Sequence, residues 1–194
     1  MSDAIQKQGP EEIVYQGKII EVVRQKVLTG EKEQIFEFAR RSPGTRLLII
    51  SPDEKILLTK EFRLEVLGYD YRLPGGKVFD RLTDYNEFLT SGKDIIEQAK
   101  LAAVKEALEE VGIVVEDITH LSTSKAGASV IWDLYYFVVS KYSHRDEGQE
   151  LEHGEDIEVV EVSFEEAKEI CLDGRMQEDR SVAVLLKYLH SVER

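Results

Sequence analysis

The stretch from Glu97 to Ile113, EQAKLAAVKEALEEVGI, constrains this chain more than any other. Read as a helix at about 100° per residue with Glu106 at zero, it places Glu110 roughly 40° to one side and Glu109 roughly 60° to the other. Leu101, Val104, Leu108 and Val111 fall about 140° to 220° away. The spacing predicts a helix that packs through its Leu/Val side and gathers three carboxylates on the other. Like charges at this spacing destabilise a bare helix, so a cation is expected among them, and an oxygen-only ligand set suits Mg²⁺ or Mn²⁺. The plainer alternative for three acids is a solvated helix face.

Composition narrows the classes. The 194 residues carry 42% hydrophobic and 32% charged side chains, the balance of a soluble globular protein of one ordinary domain or a domain with a small appendage. A net charge of −13 argues against non-specific binding to DNA, RNA or anionic membranes. A phosphate substrate would have to be met by metal ions and a few placed Arg or Lys side chains. No run approaches a membrane span, and the N-terminal MSDAIQKQGPEE lacks the apolar core of a secretory signal. The single cysteine, Cys171, precludes an internal disulfide and suits a reducing cytoplasm. It is read as helix packing, since no basic residue or His flanks it.

Along the chain, residues 1–12 read as a loose terminus. Residues 13–27 and 34–39 read as a strand-rich N-terminal sheet with a turn at Thr29-Gly30-Glu31. Leu47 to Ile50, Lys55 to Thr59 and Tyr69 to Leu73 read as strands, the last stopped by Pro74-Gly75-Gly76. The acidic helix follows, with Ser91 and Asp94 as a candidate cap and Gly112 as its end. Val114 to Leu121, Ile131 to Val139 and Ile157 to Val162 read as strands. WDLYYFVV within the second of these is the most apolar run and is expected at the centre. Phe164 to Leu172 and Ser181 to Val192 read as amphipathic helices. A mixed α/β sheet flanked by helices, with an extra N-terminal sheet, fits this order.

The acidic segment resembles the Nudix box: a Gly, five residues, a Glu, seven residues, then Arg-Glu-apolar-any-Glu-Glu-any-Gly-apolar. Glu97, seven residues, then Lys105-Glu106-Ala107-Leu108-Glu109-Glu110-Val111-Gly112-Ile113 matches the second half, with Lys for Arg. The first half departs, because 20 residues separate Gly76 from Glu97, an insertion of about 15. The insertion carries Tyr85, Phe88 and Leu89 and reads as a lid, a dimer contact or a tolerated surface loop; the low cost of lengthening a loop tilts the reading to the last. Further, Lys60-Glu61-Phe62-Arg63 with Leu73-Pro74-Gly75-Gly76 is similar to the Gln-Tyr-Arg and Glu-Leu-Pro-Ala-Gly pattern of the ADP-ribose/NDP-sugar pyrophosphatase subgroup.

The resemblance implies an α/β/α sandwich over residues 40–194, with an antiparallel N-terminal sheet, residues 13–39, that dimerises. It implies divalent-cation ligands at Glu106, Glu110 and Glu109, with the Gly75 carbonyl and Glu155 as further candidates. Glu97, about 180° from Glu106 on an ideal helix, is assigned instead a structural ion pair with Lys105. Arg63 and Arg41 become candidate substrate contacts. So does Asp133, the first acid after the Lys125–Ser129 turn, where relatives of this kind place an acid near a ribose. The loop 141–156 aligns on Glu155-Asp156-Ile157 and offers Glu155, Glu152 or His153 as the catalytic base; the unperturbed pKa of a His, about 6.5, suits that task.

Walker, dinucleotide-binding, Cys/His metal and Ser-nucleophile patterns are absent. The expectation is therefore a Mg²⁺- or Mn²⁺-dependent hydrolase. It would cleave the diphosphate of ADP-ribose or an NDP-sugar to a nucleoside monophosphate and a sugar phosphate, as a cytoplasmic homodimer. A non-catalytic nucleotide-binding module on the same scaffold is the alternative class. A Nudix enzyme on another nucleotide is the alternative within enzymes, and a nucleoside triphosphate cleaner fits the N-terminal sheet and the 60–76 pattern poorly.

Overall fold

The computed structural model describes residues 5–192. Its strands are β1 (Gln6–Gln16), β2 (Glu21–Thr29), β3 (Lys32–Arg40), β4 (Gly44–Ile50), β5 (Lys55–Arg63), β6 (Gly68–Arg72), β7 (Ile113–Ser124), β8 (Val130–Ile131), β9 (Leu134–His144) and β10 (Ile157–Ser163). Its helices are α1 (Leu82–Ser91), α2 (Ile95–Glu106), α3 (Phe164–Leu172) and α4 (Asp179–Val192). A π-helical turn, Ala107–Val111, continues α2.

The chain divides into two compact units. One holds the chain up to Pro43 with Phe79–Lys93 and Lys125–Asp133; the other holds Gly44–Val78, Asp94–Ser124 and Leu134 onward. The second is built on a mixed sheet of order β10-β5-β4-β9-β7, with β6 also paired to β5. The near-continuous apolar runs of β4 and β9 place these strands at its centre, since a strand covered on both faces needs no polar alternation. They pair in parallel, Leu47 opposite Phe137 and Leu48 opposite Val138, and all but Val138 of these four are fully buried. The central position expected for WDLYYFVV holds for its last six residues. Helix α2 packs on β4, β7 and β9, and α3 on β5 and β10.

The first unit carries the sheet β1-β2-β3-β8. It is antiparallel through β3, as expected for residues 13–39, and β8, from outside that segment, joins in parallel, Ala39 opposite Val130 and Arg40 opposite Ile131. The run expected as one strand from Ile131 to Val139 is thereby split between two sheets. The N-terminal run is split as well: Gly17 N–H donates to Ile20 O at 2.8 Å and turns the chain between β1 and β2. The terminus expected to be loose pairs as strand from Gln6 onward; residues 1–4 lie outside the described residues.

The 77–96 insertion, favoured as a bare loop, contains a helix, and its residues 79–93 belong to the first unit. Tyr85 and Leu82 of α1 are buried, and Phe79 packs against Tyr85 and Phe88 with ring centroids 5.5 and 5.1 Å apart. Asn86 Nδ2 donates at 3.0 Å to Glu21, a buried carboxylate that also receives Arg40 Nε at 2.6 Å. The aromatic content that the sequence displayed is thus internal packing of that unit. Among the described residues no helix is long and apolar enough to cross a membrane.

Candidate active site

Helix α2 starts on Asp94, whose carboxylate accepts the Ile96 N–H at 2.8 Å; Ser91, the other candidate cap, ends α1. It stops at Gly112, whose φ of 72° is a left-handed conformation open to glycine. Of the face expected to pack, Val111 is buried but Leu101 and Val104 are not. Leu101 is 66% exposed and Val104 37%, while Ala99, Ala103 and Ala107 are fully buried. On the same wheel these alanines lie within about 100° of Glu106 and on the side of Glu110, so the acid-bearing side is the inward side. Three methyl side chains let the helix backbone approach the sheet closely. The π-helical turn then carries Glu110 and Val111 inward at 7% exposure each.

The acids meet a turn built for close approach. Pro74-Gly75-Gly76 lies along β4, with Leu47 N–H on Pro74 O and Thr45 N–H on Gly76 O, both at 2.9 Å. A Cβ at Gly75 would stand 2.2 Å from Thr45 O, and one at Gly76 would stand 2.0 Å from Glu106 Oε1. Gly75, facing backbone at a φ of 142°, therefore excludes a side chain, and a side chain at Gly76 would displace the Glu106 carboxylate. Gly75 N–H donates to Glu110 Oε2 at 2.7 Å, which fixes that carboxylate against the turn.

Burial, followed by repulsion from Glu109, pushes the Glu106 carboxyl up to about 7. Burial, followed by repulsion from Glu61, pushes Glu110 up to about 8, against the opposing Gly75 hydrogen bond. Two carboxyls held this far above their ordinary range are short of positive charge. This chemistry, hard oxygen donors in a concave glycine turn, fits a divalent cation such as Mg²⁺ or Mn²⁺.

The remaining candidates divide. Glu109 forms an ion pair at 3.0 Å with Lys105, the basic residue assigned by resemblance to Glu97. Glu155 is within electrostatic reach of Glu106, yet its Oε2 accepts the Glu152 N–H at 2.9 Å. Glu152 and His153 are exposed beside it in the same turn. The Gly75 carbonyl already accepts from Arg46 Nη1 at 3.1 Å. Arg63 Nε bonds Glu65 at 3.0 Å and its Nη1 bonds Glu61 at 3.3 Å. Among the described residues no three His, Cys, Asp or Glu side chains stand together as a ready cation cage. Arg41 and Asp133 belong to the other unit, where Arg41 stacks over Trp132 at 4.3 Å.

The acidic loop serves the helix end. Arg145 N–H donates to Gly112 O at 2.9 Å, Glu150 N–H to Glu109 O at 2.8 Å, and the Gln149 side chain to Glu110 O. These carbonyls would otherwise be left open by the end of the helix, so the loop carrying Glu152, His153 and Glu155 is tied to the segment carrying Glu109 and Glu110.

Two residues escaped the sequence reading. Glu61 is 9% exposed, takes Thr59 Oγ1 at 2.8 Å and faces Glu110 electrostatically. Its signal was its place just before Phe62-Arg63, where the resembled pattern has glutamine. Arg46 is 9% exposed within β4, and its signal was a lone cation in an apolar strand.

Comparison with known proteins agrees with this geometry. The NUDIX domain family matches residues 40–185. The chain is 25% identical to an ADP-ribose pyrophosphatase of Bacillus subtilis (strain 168) over 197 residues, covering 100% of this chain and 97% of the relative. It is 33% identical to a GDP-mannose pyrophosphatase of Enterobacter sp. (strain 638) over 161 residues, 81% of this chain and 77% of the relative. A crystal structure of an ADP compounds hydrolase superposes with a TM-score of 0.72 at 17% identity, covering 100% of this chain and 96% of that one, a likeness of fold. The family match over most of the chain, spanning the segment where Glu106 and Glu110 close on a glycine turn, establishes that the chain belongs to the NUDIX family and is a hydrolase of the pyrophosphatase type.

Proposed function

We propose that this enzyme cleaves the diphosphate bond of a nucleoside diphosphate joined to a sugar, with ADP-ribose or an NDP-sugar as substrate. The products are a nucleoside monophosphate and a sugar phosphate, and Mg²⁺ or Mn²⁺ is the cofactor. The observation that carries the reading is the half-buried Glu106 and the buried Glu110 closed against Gly76 and Gly75. Two relatives that cleave nucleoside diphosphate-sugars, by their names, support the substrate class.

Glu106 and Glu110 would hold the cation, joined by Glu109 once it leaves Lys105 and by Glu155 once it leaves the Glu152 N–H. A bound divalent cation would neutralise diphosphate charge and make a water more acidic. Arg63 exchanges its carboxylate partners for a substrate phosphate, an anion that a guanidinium grips with two parallel hydrogen bonds. Glu155, Glu152 or His153 on the loop next to the cation-binding segment takes the proton of the attacking water. Arg41 and Asp133 remain proposed substrate contacts from the first unit. That unit also supports a homodimer: β1 and β3 present Ile13, Val14, Tyr15, Ile35 and Phe36 exposed, an apolar surface that a second copy would cover. The single cysteine supports a cytoplasmic setting.

A panel of ADP-ribose, GDP-mannose, other NDP-sugars and nucleoside triphosphates, assayed with Mg²⁺ and with Mn²⁺ and with products identified, tests the proposal. Release of nucleoside monophosphate plus sugar phosphate from a diphosphate sugar is expected. Cleavage of triphosphates alone, or tight binding without turnover under both metals, would sink it.

A further inference from the structure

Arg46 lies on the most buried strand of the molecule, and its side chain is only 11% exposed. A buried guanidinium is costly unless its donors are met. Here Nη1 donates to Thr45 O at 2.8 Å and to Gly75 O at 3.1 Å. On its other side Nε stands 3.8 Å from Glu178 Oε2. Glu178 precedes α4 and is itself held: Arg180 Nε donates to its Oε1 at 3.1 Å, and the Ser181 hydroxyl donates to Oε2. Ser181 in turn is 3.3 Å from the hydroxyl of Tyr136 on β9, and both are buried.

This is a continuous polar strut through the core, ending on Gly75. Gly75 is thereby gripped from two directions, its carbonyl by Arg46 and its N–H by the Glu110 carboxylate. Only a guanidinium offers several donors in one rigid plane, so a single side chain can hold two carbonyls and still face Glu178.

We propose that Arg46, braced by Glu178, is a positioning residue that holds Gly75 in the orientation that aims Glu110 at the cation. The inference rests on the cation-site reading above and deepens it. It assigns a role to a strand residue outside the acidic helix and couples the start of α4 to the site. Outer partners that orient a ligand typically change metal affinity by about ten- to a hundredfold when removed.

The test is Mn²⁺ titration of the substrate-free, full-length protein by electron paramagnetic resonance, with thermal melts alongside. Arg46→Gln should weaken Mn²⁺ binding by about tenfold or more. At saturating Mn²⁺ it should lower kcat with little change in KM, and Arg46→Lys should recover part of the loss. Glu178→Gln should shift Mn²⁺ affinity in the same direction by less. A folded Arg46→Gln protein with wild-type Mn²⁺ affinity overturns the proposal. Should that variant not fold, a folded Glu178→Gln protein with unchanged affinity overturns it instead. Glu110→Gln serves as the control. If it also leaves Mn²⁺ binding intact, the cation-site reading itself fails; if it alone weakens binding, only the role of Arg46 falls.

Discussion

At the scale of single residues the site is governed by the cost of burying charge. Glu110 is 7% exposed and bonded to a backbone N–H, yet burial and neighbouring acids still push its carboxyl up to about 8. Its unfolded value lies near 4.5. Between those two values the folded, metal-free protein binds more protons than the unfolded chain, so stability falls as pH rises through the window. Metal-free protein should therefore lose melting temperature from pH 5 to pH 8, and Mg²⁺ or Mn²⁺ should restore more of it at pH 8 than at pH 5. The Glu110→Gln protein, which cannot ionise there, should show a shallower decline and keep its fold. Its turnover should drop by at least about a hundredfold, the upper end of what loss of an outer partner costs. Melts across pH with and without metal, paired with steady-state rates, check both statements; a variant with full activity would remove Glu110 from the site.

At the scale of elements, α2 reverses the simplest reading of its own sequence. A helical wheel puts Leu101 and Val104 opposite the acids and suggests that they pack, whereas alanines on the acid side are what the sheet covers. The reason is local chemistry: Gly76 and Glu106 can approach only if the helix lies close, and Leu or Val at 99, 103 or 107 would hold it away. Ala103→Leu should therefore overpack the α2–sheet contact and cost about 1–3 kcal/mol. It should also weaken metal binding by displacing Glu106. Leu101→Gln, on the exposed side, should stay within about 0.5 kcal/mol of the parent in the unassociated chain. Denaturant melts of the two variants decide the matter, and a larger loss for Leu101 would contradict the observed face.

At the scale of the whole molecule, the insertion joins the N-terminal strands to make one unit. The loop reading tilted on the low entropic cost of extra residues, but the apolar side chains of 79–88 had to be buried somewhere. Leu82 and Tyr85 achieve this within the first unit, with Phe79 packed on Tyr85. The exposed apolar residues of β1 and β3 belong to the same unit. The mass measured by light scattering should be twice that of the 22.2 kDa chain. Ile13→Lys with Ile35→Lys should shift it toward the monomer, since charges at an apolar contact leave unpaired ions on association. A wild-type protein that runs as a monomer at micromolar concentration would end the homodimer proposal.

What the sequence alone determined was whatever depends on local pattern. The strand segments at β4, β5, β9 and β10, the ends of α3, the stop at Gly112, and the spacing of the box acids are all written in residues near one another. What only the tertiary structure decided was what depends on distant chain meeting: the inward face of α2, the split of residues 130–144 between two sheets, the helix inside the insertion, and the convergence of Glu61 and Arg46 on the acidic turn. Periodicity reports which faces of an element differ, not which of them the rest of the chain will cover. Burial is settled when β4 and the Pro74-Gly75-Gly76 turn come to lie against the alanines, and no window of sequence contains that encounter.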